Sequence, residues 1–105
     1  MVDILADKKG EDIVLMDITG VAPFTDYFVI CSGTSERMLR SLAEALKSQL
    51  REDYRLSTNL EGAPRDGWVL ADLGDVVVHL FAPDERAFYD LEELWSEGKV
   101  LLRLQ

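Results

Sequence analysis

The stretch Tyr27–Glu52, YFVICSGTSERMLRSLAEALKSQLRE, decides the fold, because the spacing of its apolar residues changes partway along. Tyr27–Cys31 is a continuous aromatic and β-branched run, the composition of a buried strand, and it stops at the turn residues Ser32-Gly33-Thr34-Ser35. Beyond the turn, Leu39, Leu42, Ala43, Leu46 and Leu50 recur at helical spacing, with Arg37, Arg40, Glu44 and Lys47 on the other side. The spacing predicts an amphipathic helix from Glu36 to about Glu52, capped by the hydroxyl of Thr34 or Ser35. A strand leading into a helix with one apolar face is a unit of an α/β layered domain.

Working outward, Ile13–Met16 is a short apolar run between acids and reads as another buried strand, while Ile18–Thr25 carries Gly20 and Pro23 and reads as a loop. Met1–Lys9 reads as the last turns of a helix. Toward the C-terminus, Leu56, Thr58 and Leu60 alternate as a short strand, and Glu61–Gly67 is a loop rich in breakers. Trp68–Asp72 and Val76–Phe81 flank Leu73-Gly74-Asp75, a spacing that requires a tight hairpin with glycine at positive φ. Pro83 and Asp84 open a second helix, in which Phe88, Leu91, Leu94 and Trp95 are expected to share one face before Gly98 ends it. Val100–Leu104 is expected as a final edge strand. The predicted fold is therefore α/β, with a mixed central sheet flanked by helices: the helix between Ile30 and Leu56 permits a parallel crossover, and the hairpin is antiparallel.

A chain of 105 residues suits one domain over residues 1–105, with the helix end at about 1–9. Its 48% hydrophobic and 30% charged content is that of a soluble globule. No apolar window approaches the ~18 residues a bilayer span needs. The first ten residues lack the charge and apolar pattern of a leader, and the single cysteine, Cys31, allows no internal disulfide; both point to the cytoplasm. The net charge of −9, from 20 acids against 11 bases, argues against direct nucleic-acid binding, which needs clustered Lys and Arg at phosphates. A basic protein surface is the better electrostatic match.

The residues carry little catalytic chemistry. One His and one Cys on separate predicted strands make a zinc site improbable, and Cys31 and His79 read as packing rather than as a nucleophilic pair. Gly33-Thr34-Ser35 opens a helix and has a physical basis for anion binding, but neither the P-loop lysine nor the G-x-G-x-x-G run accompanies it, so it reads as a cap and turn. Asp72 and Asp75 flank a hairpin, where aspartate commonly satisfies the backbone. Strand alternation sets Trp68, Leu70 and Asp72 on one face and Val69 and Ala71 on the other; the first face mixes characters as a docking surface or a partly exposed sheet does, and burial of Trp68 in the core is an equal reading. The acids Asp84, Glu85, Asp90, Glu92, Glu93 and Glu97 stand against Arg86 alone and read first as a solvated helix face.

In order and spacing, Thr25–Ser35 (TDYFVICSGTS), Glu61-Gly62, Gly67-Trp68, Asp72–His79 (DLGDVVVH), Arg86 and Tyr89–Trp95 (YDLEELW) together resemble the ribosomal silencing factor, or Iojap-like, family. The resemblance runs from about Asp7 to Trp95. It implies a nucleotidyltransferase-like core without catalytic residues, no enzymatic activity, no cofactor and no metal. It also implies a translational repressor that binds the large ribosomal subunit, chiefly its fourteenth ribosomal protein, and blocks joining of the small subunit when nutrients are scarce. The partner-binding residues carried over are Trp68, Asp72, Leu73 and Asp75, with Glu61 and Gly62 shaping the loop beside them, and His79, Tyr89 and Trp95 in packing or rim positions. Members usually carry a longer first helix, which bears on any homodimer. An assembly factor for the large subunit, and a nucleotide-binding enzyme using the Gly33–Ser35 turn, are the alternative readings.

Overall fold

In the computed structural model, which describes residues Val2–Leu104, the chain runs α1 (Val2–Asp7), β1 (Glu11–Asp17), β2 (Tyr27–Ser32), α2 (Glu36–Tyr54), β3 (Leu60–Ala63), β4 (Trp68–Asp72), β5 (Val76–Phe81), α3 (Pro83–Tyr89), α4 (Leu91–Leu94) and β6 (Lys99–Leu104). Met1 and Gln105, the ends of the expected domain, lie outside the described residues. The strands form one six-stranded sheet in the order β3-β4-β5-β2-β1-β6. Only β2 and β5 pair in parallel; the other neighbours are antiparallel, so the sheet is mixed.

The helix after β2 does not lead to a neighbouring strand. It delivers the chain to β3 at the far edge, and the parallel partner of β2 is β5, reached only after the β4–β5 hairpin turns back. That hairpin turns as its spacing requires, with Gly74 at φ 89 and the Leu73 N–H donating to the Val76 carbonyl.

The pleat sorts side chains between two cores. On one face Ile13, Val29, Cys31, Val69, Ala71, Val78 and Leu80 meet Leu39, Leu42, Leu46 and Leu50 of α2 and Ile4 and Leu5 of α1. Ser35 caps α2, its Oγ accepting the Met38 N–H at 3.0 Å. On the other face Val14, Met16, Phe28, Ile30, Val77 and Phe81 meet Leu91 and, from the loop after β1, Ile18 and Ala22. This second cover is short, and part of the sheet face stays open.

Two sequence expectations are corrected. The strand read at Leu56, Thr58 and Leu60 begins only at Leu60, and Glu61–Ala63, read as loop, are in it. Alternation at 56–60 is not a pleat: Arg55 closes α2 in the left-handed region at φ 55 and Leu56 is exposed. Pairing with β4 holds Glu61–Ala63 in register (Leu60 opposite Ala71, Ala63 opposite Trp68), which overrides the breaker residues. The single helix expected after Pro83 is two, because Asp90 adopts φ 45 and turns the axis between α3 and α4. Phe88, Leu91, Leu94 and Trp95 therefore do not share a face: Leu91 is buried, whereas Phe88 is 80% and Leu94 68% exposed.

Candidate functional site

The open part of the second face is a groove of about 310 Å³. Its floor comes from β2 and β5, where Phe28 and His79 meet edge to face with centroids 4.6 Å apart. One wall is Trp68, the first residue of β4. The indole stacks on Phe81 at 4.9 Å, packs against Tyr89 at 4.5 Å, and donates its N–H to His79 Nδ1 at 3.2 Å. Trp95, just beyond α4, also lines the groove, with Phe24 from the loop before β2 at 5.8 Å and Phe28 at 6.1 Å. Glu61, Leu70 and Asp72 complete the lining, with Glu61 and Asp72 exposed.

His79 is buried, and desolvation lowers its pKa from 6.5 to about 4. An indole can only donate, so Nδ1 is the acceptor and the imidazole proton sits on Nε2. Nε2 is buried without a hydrogen-bond partner among the described residues. The floor is thus a neutral ring with an unused donor.

Of the residues read from sequence as a contact surface, the fold brings Trp68, Glu61 and Asp72 together at this groove. Gly62 lies beside them, opposite Val69 at φ 82, where a Cβ would collide with the Trp68 carbonyl oxygen. Leu73 is elsewhere: it is partly buried against the α1–α2 core on the other face. Asp75 is exposed at the hairpin, and its carbonyl accepts the N–H groups of Asp26 and Tyr27 at 3.1 and 3.0 Å, tying the turn to the start of β2. Asp72 Oδ1 likewise accepts the Gly74 N–H at 2.9 Å, a turn role that coexists with its place on the rim.

Phe24, Phe28 and Trp95 were not legible as part of one surface, since they come from a loop, a strand and a segment past a helix break. A signal existed in Phe24, an aromatic beside Pro23 in a loop, which is 57% exposed. Cys31 and His79 cannot pair: Cys31 points into the α1–α2 core and His79 into the groove, and burial pushes the thiol up to about 12. The Gly33–Ser35 turn is occupied by the α2 cap, and Glu36, Asp84 and Glu85 outnumber the single cation Arg65 in the cleft beside it, a net acidic setting that disfavours phosphate. Among the described residues no three His, Cys, Asp or Glu side chains converge as a metal site requires.

The acidic run after Pro83 is not simply solvated. Buried Arg86 donates to the Asp12 carbonyl at 2.6 Å, to Ser32 Oγ at 2.8 Å and to Glu92 Oε1 at 3.1 Å. Arg103 of β6 then bridges Asp12 and Glu92 at 2.8 and 2.9 Å. This cluster ties α3 and α4 to β1 and β6, and so sets where Trp95 stands.

Comparison with known proteins follows the same line. The model of a family described as "Ribosomal silencing factor during starvation" matches residues 1–104. A Bacillus subtilis protein named ribosomal silencing factor RsfS is 44% identical over 92 residues, covering 88% of this chain and 78% of that one. A crystal structure of a Chromobacterium violaceum protein is similar with a TM-score of 0.84 at 34% identity, covering 90% of this chain and 79% of that one. A Mus musculus protein named for mitochondrial assembly of the ribosomal large subunit is 34% identical over 99 residues, covering 91% of this chain and 43% of that one.

Proposed function

The chain belongs to the ribosomal silencing factor family, and from that premise we propose that it represses translation under starvation by docking on the large ribosomal subunit through the Trp68 groove. It acts as a binding factor without catalysis. Its docking partner is the fourteenth ribosomal protein of that subunit, and a factor seated there occludes the surface that meets the small subunit. The site of action is the cytoplasm. Among the described residues, no helix is long and apolar enough to cross a membrane.

The observation that carries this reading is the groove itself: five aromatic or imidazole rings beside two exposed carboxylates, on a chain of net charge −9. Aromatic residues in a partly covered pocket are typical anchors of a protein interface, and acids at its rim suit a basic ribosomal protein. Glu61 lines the same contact and Gly62 shapes the strand beside it, whereas Leu73 and Asp75 bear on it only by holding the β4–β5 hairpin in place. Co-sedimentation with purified large subunits, scoring small-subunit joining in the same tubes, is the test. The wild type is expected to pellet with large subunits and to prevent joining, and Trp68→Ala to do neither. A wild type that stays in the supernatant at low salt overturns the reading.

The mouse relative's name favours a second reading, assistance in large-subunit assembly by the same surface. Preference for immature over mature particles would select it. A nucleotide-binding, nucleotidyltransferase-like enzyme is the remaining alternative, and micromolar heat with ATP and magnesium in calorimetry would revive it. A homodimer, if it forms, has an edge to use: β6 ends the sheet with Val100, Leu101, Leu102 and Leu104 exposed.

A further inference from the structure

Resting on the docking reading above, we infer that the groove between Trp68 and Trp95 is a cation cage that receives one arginine or lysine side chain of the basic partner. Trp68 and Trp95 line the same cavity together with Phe28 and His79, and Phe24 packs edge to face on Trp95. A volume of about 310 Å³ accommodates a long side chain. Ring faces attract cations, most strongly those of tryptophan. Two carboxylates, Glu61 and Asp72, stand at the same opening. They supply the charge that fixes a guanidinium or ammonium head, while the aromatic walls take its apolar stem.

The floor carries no positive charge to oppose a cationic guest. His79 is the one basic side chain lining the groove, and it stays neutral because burial opposes its protonation. The indole of Trp68 is held in place by its bond to His79 and its stack on Phe81, so the wall is formed before the partner arrives. A purely apolar guest would leave the exposed carboxylates of Glu61 and Asp72 at the opening without a partner from the guest.

The test uses the full chain and two measurements. N-acetyl-arginine amide is titrated while the indole N–H signals of Trp68 and Trp95 are followed by NMR, with N-acetyl-citrulline amide as the uncharged isostere. Saturable shifts of both indoles with the arginine compound alone, weakened about tenfold in a Glu61→Gln/Asp72→Asn double variant, support the cage. Asparagine keeps the acceptor that Gly74 uses, so the hairpin is not disturbed. Equal shifts with both compounds, or none with arginine, overturn it. In parallel, the double variant and a control of the same charge change on exposed α2 positions, Glu44→Gln/Glu52→Gln, are compared in binding large subunits. Selective loss in the groove variant supports the cage. Wild-type binding that both pairs weaken alike, or neither weakens, overturns the cage and leaves the docking reading standing. A wild type that binds no subunits overturns docking, and the arginine titration then judges the cage alone.

Discussion

The indole N–H of Trp68 donates to Nδ1 of His79 at 3.2 Å, joining the first residue of β4 to the middle of β5. The bond fixes two things together: the rotamer of an aromatic wall and the tautomer of a buried imidazole. Trp68→Phe keeps much of the stack on Phe81 and Tyr89 but loses this bond, and is expected to cost about 1 kcal/mol. Trp68→Ala also loses the stacking and is expected to cost about 2 kcal/mol, below the fully buried range because the ring is partly exposed. Urea unfolding of the two variants checks the order: equal costs would show that the stacking contributes nothing, and a Trp68→Phe variant as stable as the wild type that the bond contributes nothing.

His79 makes stability depend on pH with a defined sign. The unfolded chain protonates this residue near its ordinary pKa of 6.5, the folded chain only near 4. Between those values the unfolded state holds the extra proton, so the contribution is complete above about pH 6.5 and is lost as the pH falls toward 4. The total is on the order of 3 kcal/mol. Urea midpoints of the wild type should fall more steeply across this window than those of His79→Gln; parallel slopes would mean His79 titrates normally in the fold.

Arg86 and Arg103 share Asp12 and Glu92 but differ in burial, the Arg86 side chain being 10% exposed and that of Arg103 37%. Arg86→Leu is expected to lower stability by about 2–3 kcal/mol, roughly 10–15 °C in Tm, because it also strands the Asp12 carbonyl. Arg103→Ala should cost under about 1 kcal/mol, as exposed pairs do. Calorimetric melting of both variants is the measurement, and equal losses would contradict the assigned burial.

Gly62 and Gly74 both sit at positive φ, 82 and 89, but a Cβ at Gly62 meets the Trp68 carbonyl and one at Gly74 meets open space. Gly74→Ala should cost about 1 kcal/mol from backbone strain alone, and Gly62→Ala about 1–2 kcal/mol more. Denaturant unfolding settles the ranking. The reverse order would mean that the β3–β4 pairing gives way more easily than the hairpin.

Cys31 is fully buried, with its thiol pushed up to about 12. An aromatic disulfide reagent at pH 8 should label it only at the rate of unfolding, and labelling should become immediate in denaturant. Rapid modification of the folded chain would place Cys31 at the surface.

Much of the framework was legible because it depends on local periodicity. The change of period at Ser32–Ser35 marked β2 and α2, and the tight spacing around Gly74 marked the β4–β5 hairpin with its bounds. The failures lie where distant partners outweighed local preference. Glu61–Ala63 became a strand because β4 offered hydrogen bonds in register, and the helix after Pro83 broke where Asp90 took a left-handed conformation that its sequence does not announce.

The candidate site divides along the same line. Alternation along one strand suffices to put Trp68 and Asp72 on a common face, since successive side chains must point to opposite sides of a pleat. The sequence alone therefore determined β1, β2, α2 and the β4–β5 hairpin, the acidic charge and that single face. Only the tertiary structure decided that Phe24, Glu61, His79 and Trp95 meet there and that Leu73 does not. Those neighbours follow from strand order, the parallel pairing of β2 with β5 and the Arg86 cluster that positions α4, all of them contacts between residues far apart in the chain. Periodicity is a property of neighbours along the backbone, whereas a groove is a property of surfaces brought together by burial.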